Sequence, residues 1–211
     1  MIPKKLFIIG FALLTLVFSI AAPFFPWWRA YTSRKSDIES GTSIRVEYGL
    51  LGSITASKIT NVENQSVSMS ISISELNATE QDKNALQSFL YNTWCLSIAG
   101  SGFSILTFVF ICLSIGEKFV FLKKYTKYLM IVTGIIFFVS SVYFASQAHV
   151  LISKLENVTP SQVYYFSGKE VRAFFGKINS LIYGPSFGWY LAITGFLLNI
   201  SLSLLTIKVK E

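Results

Sequence analysis

Few side chains in this chain have types and spacing suited to chemistry. His149 is the only histidine, and it closes an apolar run. A lone histidine in such a place is more often a surface residue than a base or ligand, because acid–base catalysis needs a second group to position and complement it. Cys95 and Cys112 share one apolar run. On a helix rising 1.5 Å per residue they lie about 25 Å apart, too far for a disulfide, so they read as buried apolar side chains. No pair of metal ligands has useful spacing. No Gly-rich phosphate loop or nucleophile motif occurs, and no carboxylate lies inside an apolar run to relay protons. The expectation is a protein that is not an enzyme, with no catalytic residue, cofactor or metal.

One modification chemistry is written into the chain. Asn64-Gln65-Ser66, Asn77-Ala78-Thr79 and Asn157-Val158-Thr159 match the N-glycosylation acceptor pattern, the third weakened by Pro160. Asn199-Ile200-Ser201 also matches, but it lies inside an apolar run where no transferase would reach it.

The elements that carry these residues are set by hydropathy. Of the 211 residues, 52% are hydrophobic and only 14% charged, and the mean hydropathy is +0.54. A soluble domain carries about 25% charged residues, so this chain has too little charge to clothe a water-facing surface. Four runs, 6–25, 89–115, 128–150 and 185–207, are apolar over about the 20 residues that a helix needs to cross a bilayer. Lys4 and Lys5 before the first run give it some likeness to a signal peptide, but Pro23 directly after Ala22 is a poor neighbour for cleavage. The run is therefore read as a retained helix.

Orientation follows from the bases beside each run. With the N-terminus (1–5) in the cytoplasm, the inner segments 116–127 and 208–211 complete a set of eight bases against two acids. The outer segments hold ten bases and nine acids. Both termini are expected in the cytoplasm, in a multi-pass protein of the plasma membrane. The net charge of +7 is then a topology signal with some attraction to anionic lipid, and no nucleic acid is implied. All three accessible sequons fall on the outer side.

The first outer segment, 26–88, is too long for a simple loop. Val67 to Ser74 alternates strictly between apolar residues and serine, and Ile44 to Tyr48 alternates too. That is the period of strands with one dry face. Trp28–Lys35 and Ile54–Val62 are weaker strand candidates. The expectation is a small antiparallel sheet of three to five strands. In the second outer segment, 151–184, Gln162–Phe166 can add a strand. Val171, Phe174, Phe175, Ile178 and Ile182 then fall at helical spacing, which predicts a short amphipathic helix over Glu170–Ile182. Trp27, Trp28, Tyr31, Trp94, Trp189 and Tyr190 mark the membrane boundary. Gly188, Ala192, Gly195 and Asn199 form a side of small residues on the fourth span, suited to helix packing, with Asn199 expected to bond across to a neighbour. Pro185 is expected in that helix's first turn.

This ordering resembles the claudin and peripheral-myelin-protein tetraspan superfamily. Pro26-Trp27-Trp28-Arg29 is similar to the Pro-x-Trp-Arg that opens the claudin outer domain. Tyr48-Gly49-Leu50-Leu51 looks like a diverged Gly-Leu-Trp segment, with Leu51 where the Trp would stand. Gly184-Pro185-Ser186-Phe187-Gly188-Trp189 resembles the glycine-rich, aromatic start of the family's fourth helix. The two cysteines that follow in claudins are absent, which points to a distant protist or archaeal member. The resemblance implies a membrane four-helix bundle capped by an extracellular antiparallel sheet.

Two functions from different classes fit. The first is a non-enzymatic tetraspan protein whose outer sheet binds a protein partner, as an accessory subunit of a membrane complex or a surface or adhesion component. Trp27, Trp28, Arg29, Arg45, Val67, Met69, Ile71 and Ile73 are the expected interaction surface. The second, implied by the resemblance, is self-assembly into strands or pores. A transporter or channel fits less well, because no charge lies in the membrane. The partners expected are the lipid bilayer and either a protein of a membrane complex or further copies of the chain.

Overall fold

The computed structural model describes residues 4–32, 42–60, 65–76, 78–115, 122–155, 171–178 and 181–207. Four helices carry the apolar runs: α1 (Lys4–Ala21), α2 (Glu80–Ile115), α3 (Leu122–Ile152) and α4 (Phe187–Ile207). All four are long and apolar enough to cross a membrane. In their most apolar windows only 28–39% of residues are buried inside the protein, so most of this apolar surface faces outward. A bilayer accepts such a surface and water does not. The chain is a multi-pass membrane protein by this measure.

α2 begins nine residues before its apolar run. Thr79 makes that start possible. Its Oγ1 accepts from the Asp82 backbone N–H (3.2 Å) and donates to the Asp82 carboxylate (2.6 Å), while Glu80 and Asp82 place negative charge in the first turn. Hydropathy does not register this polar turn. α4 begins after Pro185, not on it. Pro185 ends a strand opposite Trp28, which corrects the expected placement of Pro in the first helical turn.

Six strands form one antiparallel sheet: β1 (Trp28–Thr32), β2 (Thr42–Tyr48), β3 (Ser53–Thr60), β4 (Gln65–Ser72), β5 (Gly176–Ile178) and β6 (Leu181–Pro185), in the order β4-β3-β2-β1-β6-β5. Gly52 at φ +78 closes the tight turn from β2 to β3, donating to the Gly49 carbonyl at 3.2 Å. β4 stops where Ser72 and Glu75 form a capping box on a single 3-10 turn. Of the amphipathic helix expected over Glu170–Ile182, the described residues 171–178 and 181–182 form no helix. β5 and β6 occupy its C-terminal half, because pairing with β1 outweighs a local helical spacing. The strand expected at 162–166 and the sequons Asn64, Asn77 and Asn157 lie outside the described residues.

The chain divides into two compact units. The first holds residues 1–24, 95–142 and 190–211, and in it the four helices pack through small and hydroxyl side chains. A Cβ on Gly100 would meet the Phe137 ring at 2.9 Å, so that ring lies directly on the α2 backbone. Ser97 and Ser140 share a hydrogen bond (3.1 Å), and Ser101 donates to the Ser19 carbonyl (2.7 Å). Ala192 and Asn199 are buried, and Gly195 lies beside Ser19. Asn199 donates to the Gly195 carbonyl of its own helix at 2.8 Å. This replaces the expected cross-helix bond: the i−4 carbonyl is already in reach and needs no partner helix. Cys95 and Cys112 are exposed rather than buried, because they fall on the outward apolar side of α2.

The second unit holds residues 25–94 and 143–189, with the sheet. Gly188 is its tightest point. A Cβ there would meet the Trp27 indole at 2.4 Å and the Phe25 carbonyl oxygen at 2.6 Å. Gly10, in contrast, has open space around it. Gly188→Ala should therefore lower stability by about 1–3 kcal/mol, while Gly10→Ala should leave it unchanged or raise it by up to about 1 kcal/mol. Denaturant titration of both variants in the same detergent checks the contrast.

Candidate functional site

The sheet is where the sequence alternation acquires two distinct faces. Register places Ile71, Ile54, Tyr48, Trp28 and Pro185 in one row across five strands. A second row runs Ala56, Val46, Ala30 and Tyr183. The side chains of Trp28, Ala30, Val46, Tyr48, Ile54, Ala56, Ile71 and Tyr183 are all buried. This is the dry face, and it rests on rings. Trp28 packs between Tyr48 (5.4 Å) and Tyr183 (5.8 Å), and its Nε1 donates to the Phe174 carbonyl at 3.1 Å. Phe144 of α3 gathers Trp27, Phe89 and Phe174 around it at 5.2–6.0 Å. Burial of several such rings is a large part of what holds the sheet. The Tyr48 hydroxyl has no hydrogen-bond partner among the described residues, and desolvation pushes its pKa well above the ordinary value, so the phenol stays neutral.

The opposite face is polar. Its rows run Ser70, Thr55, Glu47 and Arg29, then Ser68, Ser57, Arg45 and Tyr31. Arg45 is paired with Glu47, and the Arg29 guanidinium lies 5.2 Å from the Tyr31 ring centroid. Lys177 on β5 extends the second row through Ile182. An exposed ion pair of this kind adds little to stability. The face therefore costs the fold almost nothing to keep and offers hydrogen-bonding groups to the solvent.

Two of the expected surface residues, Arg29 and Arg45, belong to this face. Trp27, Trp28, Ile71 and Ile73 do not, since all four are buried. They are corrected to core residues: Trp28 and Ile71 fall on the inner parity of their strands, Trp27 packs against Gly188 just before β1, and Ile73 is buried in the 3-10 turn after β4. Val67 and Met69 lie on β4 opposite Lys58 and Ala56. Tyr31, Glu47, Ser57, Ser68 and Ser70 complete the polar face. The signal that finds them is the other half of the same alternation.

The edges differ. β5 offers three residues, whereas β4 offers eight in unbroken register with β3. Among the described residues nothing pairs with the outer side of β4. Natural sheets usually blunt such an edge with a lysine, a proline or a bulge. Gln65–Ser72 contains no charge and no proline, and its pairing shows no bulge. At the helical end of this unit, Lys154 and Asp82 pair at 3.5 Å. Among the described residues no three His, Cys, Asp or Glu side chains come together as a metal set.

Core and face separate by mutation. Trp28→Ala should cost about 3–5 kcal/mol, and Arg45→Ala about 0.5 kcal/mol or less, read from unfolding midpoints of the two variants. The chain matches no protein-family model, and no curated protein matches it in sequence.

Proposed function

We propose that this chain is a non-enzymatic tetraspan membrane protein whose sheet binds another protein, as an accessory subunit of a membrane complex or a surface component. One observation carries the reading: the eight-residue β4 edge is long, regular and uncharged. Such an edge is a template for an added strand, in which backbone hydrogen bonds give affinity and alternate side chains give selectivity. The polar face continues from Ser68 and Ser70 of this strand to Arg45 and Glu47 two strands in and Arg29 three strands in, and supplies charge recognition. In this proposal the sheet is extracellular, both termini are cytoplasmic, the membrane is the plasma membrane, and Asn64, Asn77 and Asn157 are glycosylated. Kinship with the claudin and peripheral-myelin-protein superfamily rests on the Pro26–Arg29, Tyr48–Leu51 and Gly184–Trp189 motifs.

Ser68 and Ser70 are exposed, so lysines there block the edge without disturbing the interior. The Ser68→Lys/Ser70→Lys double variant should keep the wild-type unfolding midpoint and lose the partner on native co-purification. Undiminished co-purification overturns the edge as the docking site.

A second reading, self-assembly, has its own observation in β4. The two-residue repeat makes the strand complementary to itself. Two copies paired antiparallel about Met69 set Ser68 against Ser70, Val67 against Ile71 and Ser66 against Ser72. Paired residues in such a ladder have Cα atoms about 4.5–5.5 Å apart, within disulfide range. On this reading Met69→Cys forms covalent dimers under mild oxidation. Ser68→Cys alone stays monomeric, yet crosslinks to a Ser70→Cys chain. Equal crosslinking at all three positions excludes the register.

A further inference from the structure

A small pocket lies within the helical unit where α1, α2 and α4 meet. Four polar side chains, Thr15, Ser104, Thr107 and Asn199, line it among apolar neighbours, and it has room for about one water molecule. Ser104 is 3% exposed, and its Oγ has no hydrogen-bond partner among the described residues. Native interiors rarely leave a hydroxyl in that condition. The other three side chains have each committed a donor within their own helix. Thr15 Oγ1 donates to the Phe11 carbonyl (2.8 Å), Thr107 Oγ1 to the Phe103 carbonyl (2.7 Å) and Asn199 Nδ2 to the Gly195 carbonyl (2.8 Å). Thr107 Oγ1 also shares a long contact with Thr133 Oγ1 (3.5 Å), and each of these oxygens keeps a lone pair able to accept.

The pocket thus presents an uncommitted hydroxyl donor, Ser104, and several acceptors on three helices. Its complement is a molecule the size of one water that accepts once and donates twice. No carboxylate lines the pocket to hold a cation. We propose that this is a hydration site, in which a single buried water accepts from Ser104 and donates to two of the Thr15, Thr107 and Asn199 oxygens, joining α1, α2 and α4. The site is independent of the sheet and of any partner it binds.

The sign of one measurement decides the matter. Ser104→Ala removes the donor that holds the water. If the water bridges the helices, the thermal-unfolding midpoint falls by about 2–4 °C. If Ser104 is an unsatisfied hydroxyl in a dry pocket, its removal relieves a penalty, and the midpoint stays or rises, which overturns the proposal. Ser146→Ala, at an exposed hydroxyl that donates to the Tyr143 carbonyl of its own helix, is the control expected not to move. A high-resolution density map of the wild-type protein in nanodiscs should show a peak about 2.7–3.2 Å from Ser104 Oγ. An empty pocket, or one filled by an acyl chain, overturns the proposal independently.

Discussion

The sheet depends on one close approach, the indole of Trp27 against the bare backbone of Gly188. That contact fixes where the chain leaves Pro26. The Pro26 carbonyl accepts the Gly188 N–H at 2.8 Å, and the Trp27 carbonyl accepts the Ser186 N–H at 2.9 Å. The first turn of α4 would otherwise have unpaired donors. It finds acceptors for them on the segment that leads into β1, so β6 is delivered in register with β1. Ring packing then spreads the constraint, since Trp27 touches Phe144, and Phe144 touches Phe89 and Phe174. A side chain at position 188 therefore disturbs a strand pairing, a helix start and an aromatic layer at once.

The two units are held by different physics. In the sheet unit, aromatic burial joins the strand ladder in supplying cohesion, and polar groups are sent to the opposite face. In the helical unit, apolar side chains gain little by meeting each other, because lipid solvates them as well. Cohesion there comes from Gly100 admitting the Phe137 ring and from serines that bond across helices. The polar interior has a second effect. Asn199, Thr15 and Thr107 each satisfy a donor on their own helix, so their helices enter the bundle already nearly neutral in hydrogen-bond terms.

The helices were legible in the sequence because uninterrupted hydropathy over about 20 residues matches the thickness of a bilayer core and exceeds what a soluble core helix needs. β2 and β4 were legible because alternation is a local property. What escaped was set by distant contacts. Phe174, Phe175, Ile178 and Ile182 imitate a helical face, and only pairing with a strand some 150 residues earlier makes β5 and β6. Trp27 and Trp28 near a membrane edge resemble a boundary belt, yet the close approach at Gly188 and the Tyr183 ring from β6 put them in the interior. Ile71 has the wrong parity for an interaction surface, and Ile73 continues the alternation in sequence but lies buried in the 3-10 turn that ends β4. An apolar residue on a half-buried strand announces the core first, and the polar groups sit one residue away, on Ser68, Ser70, Arg45 and Glu47.

β1 receives β2 almost at once in the chain, but its other neighbour, β6, comes roughly 150 residues later. A ribosome adding about 5–20 residues per second leaves that side of β1 open for on the order of ten seconds. Through that interval the nascent chain carries an unfilled groove flanked by aromatic rings. An unpaired strand edge is a template for any other strand, so this side of β1 is where mispairing can start during synthesis.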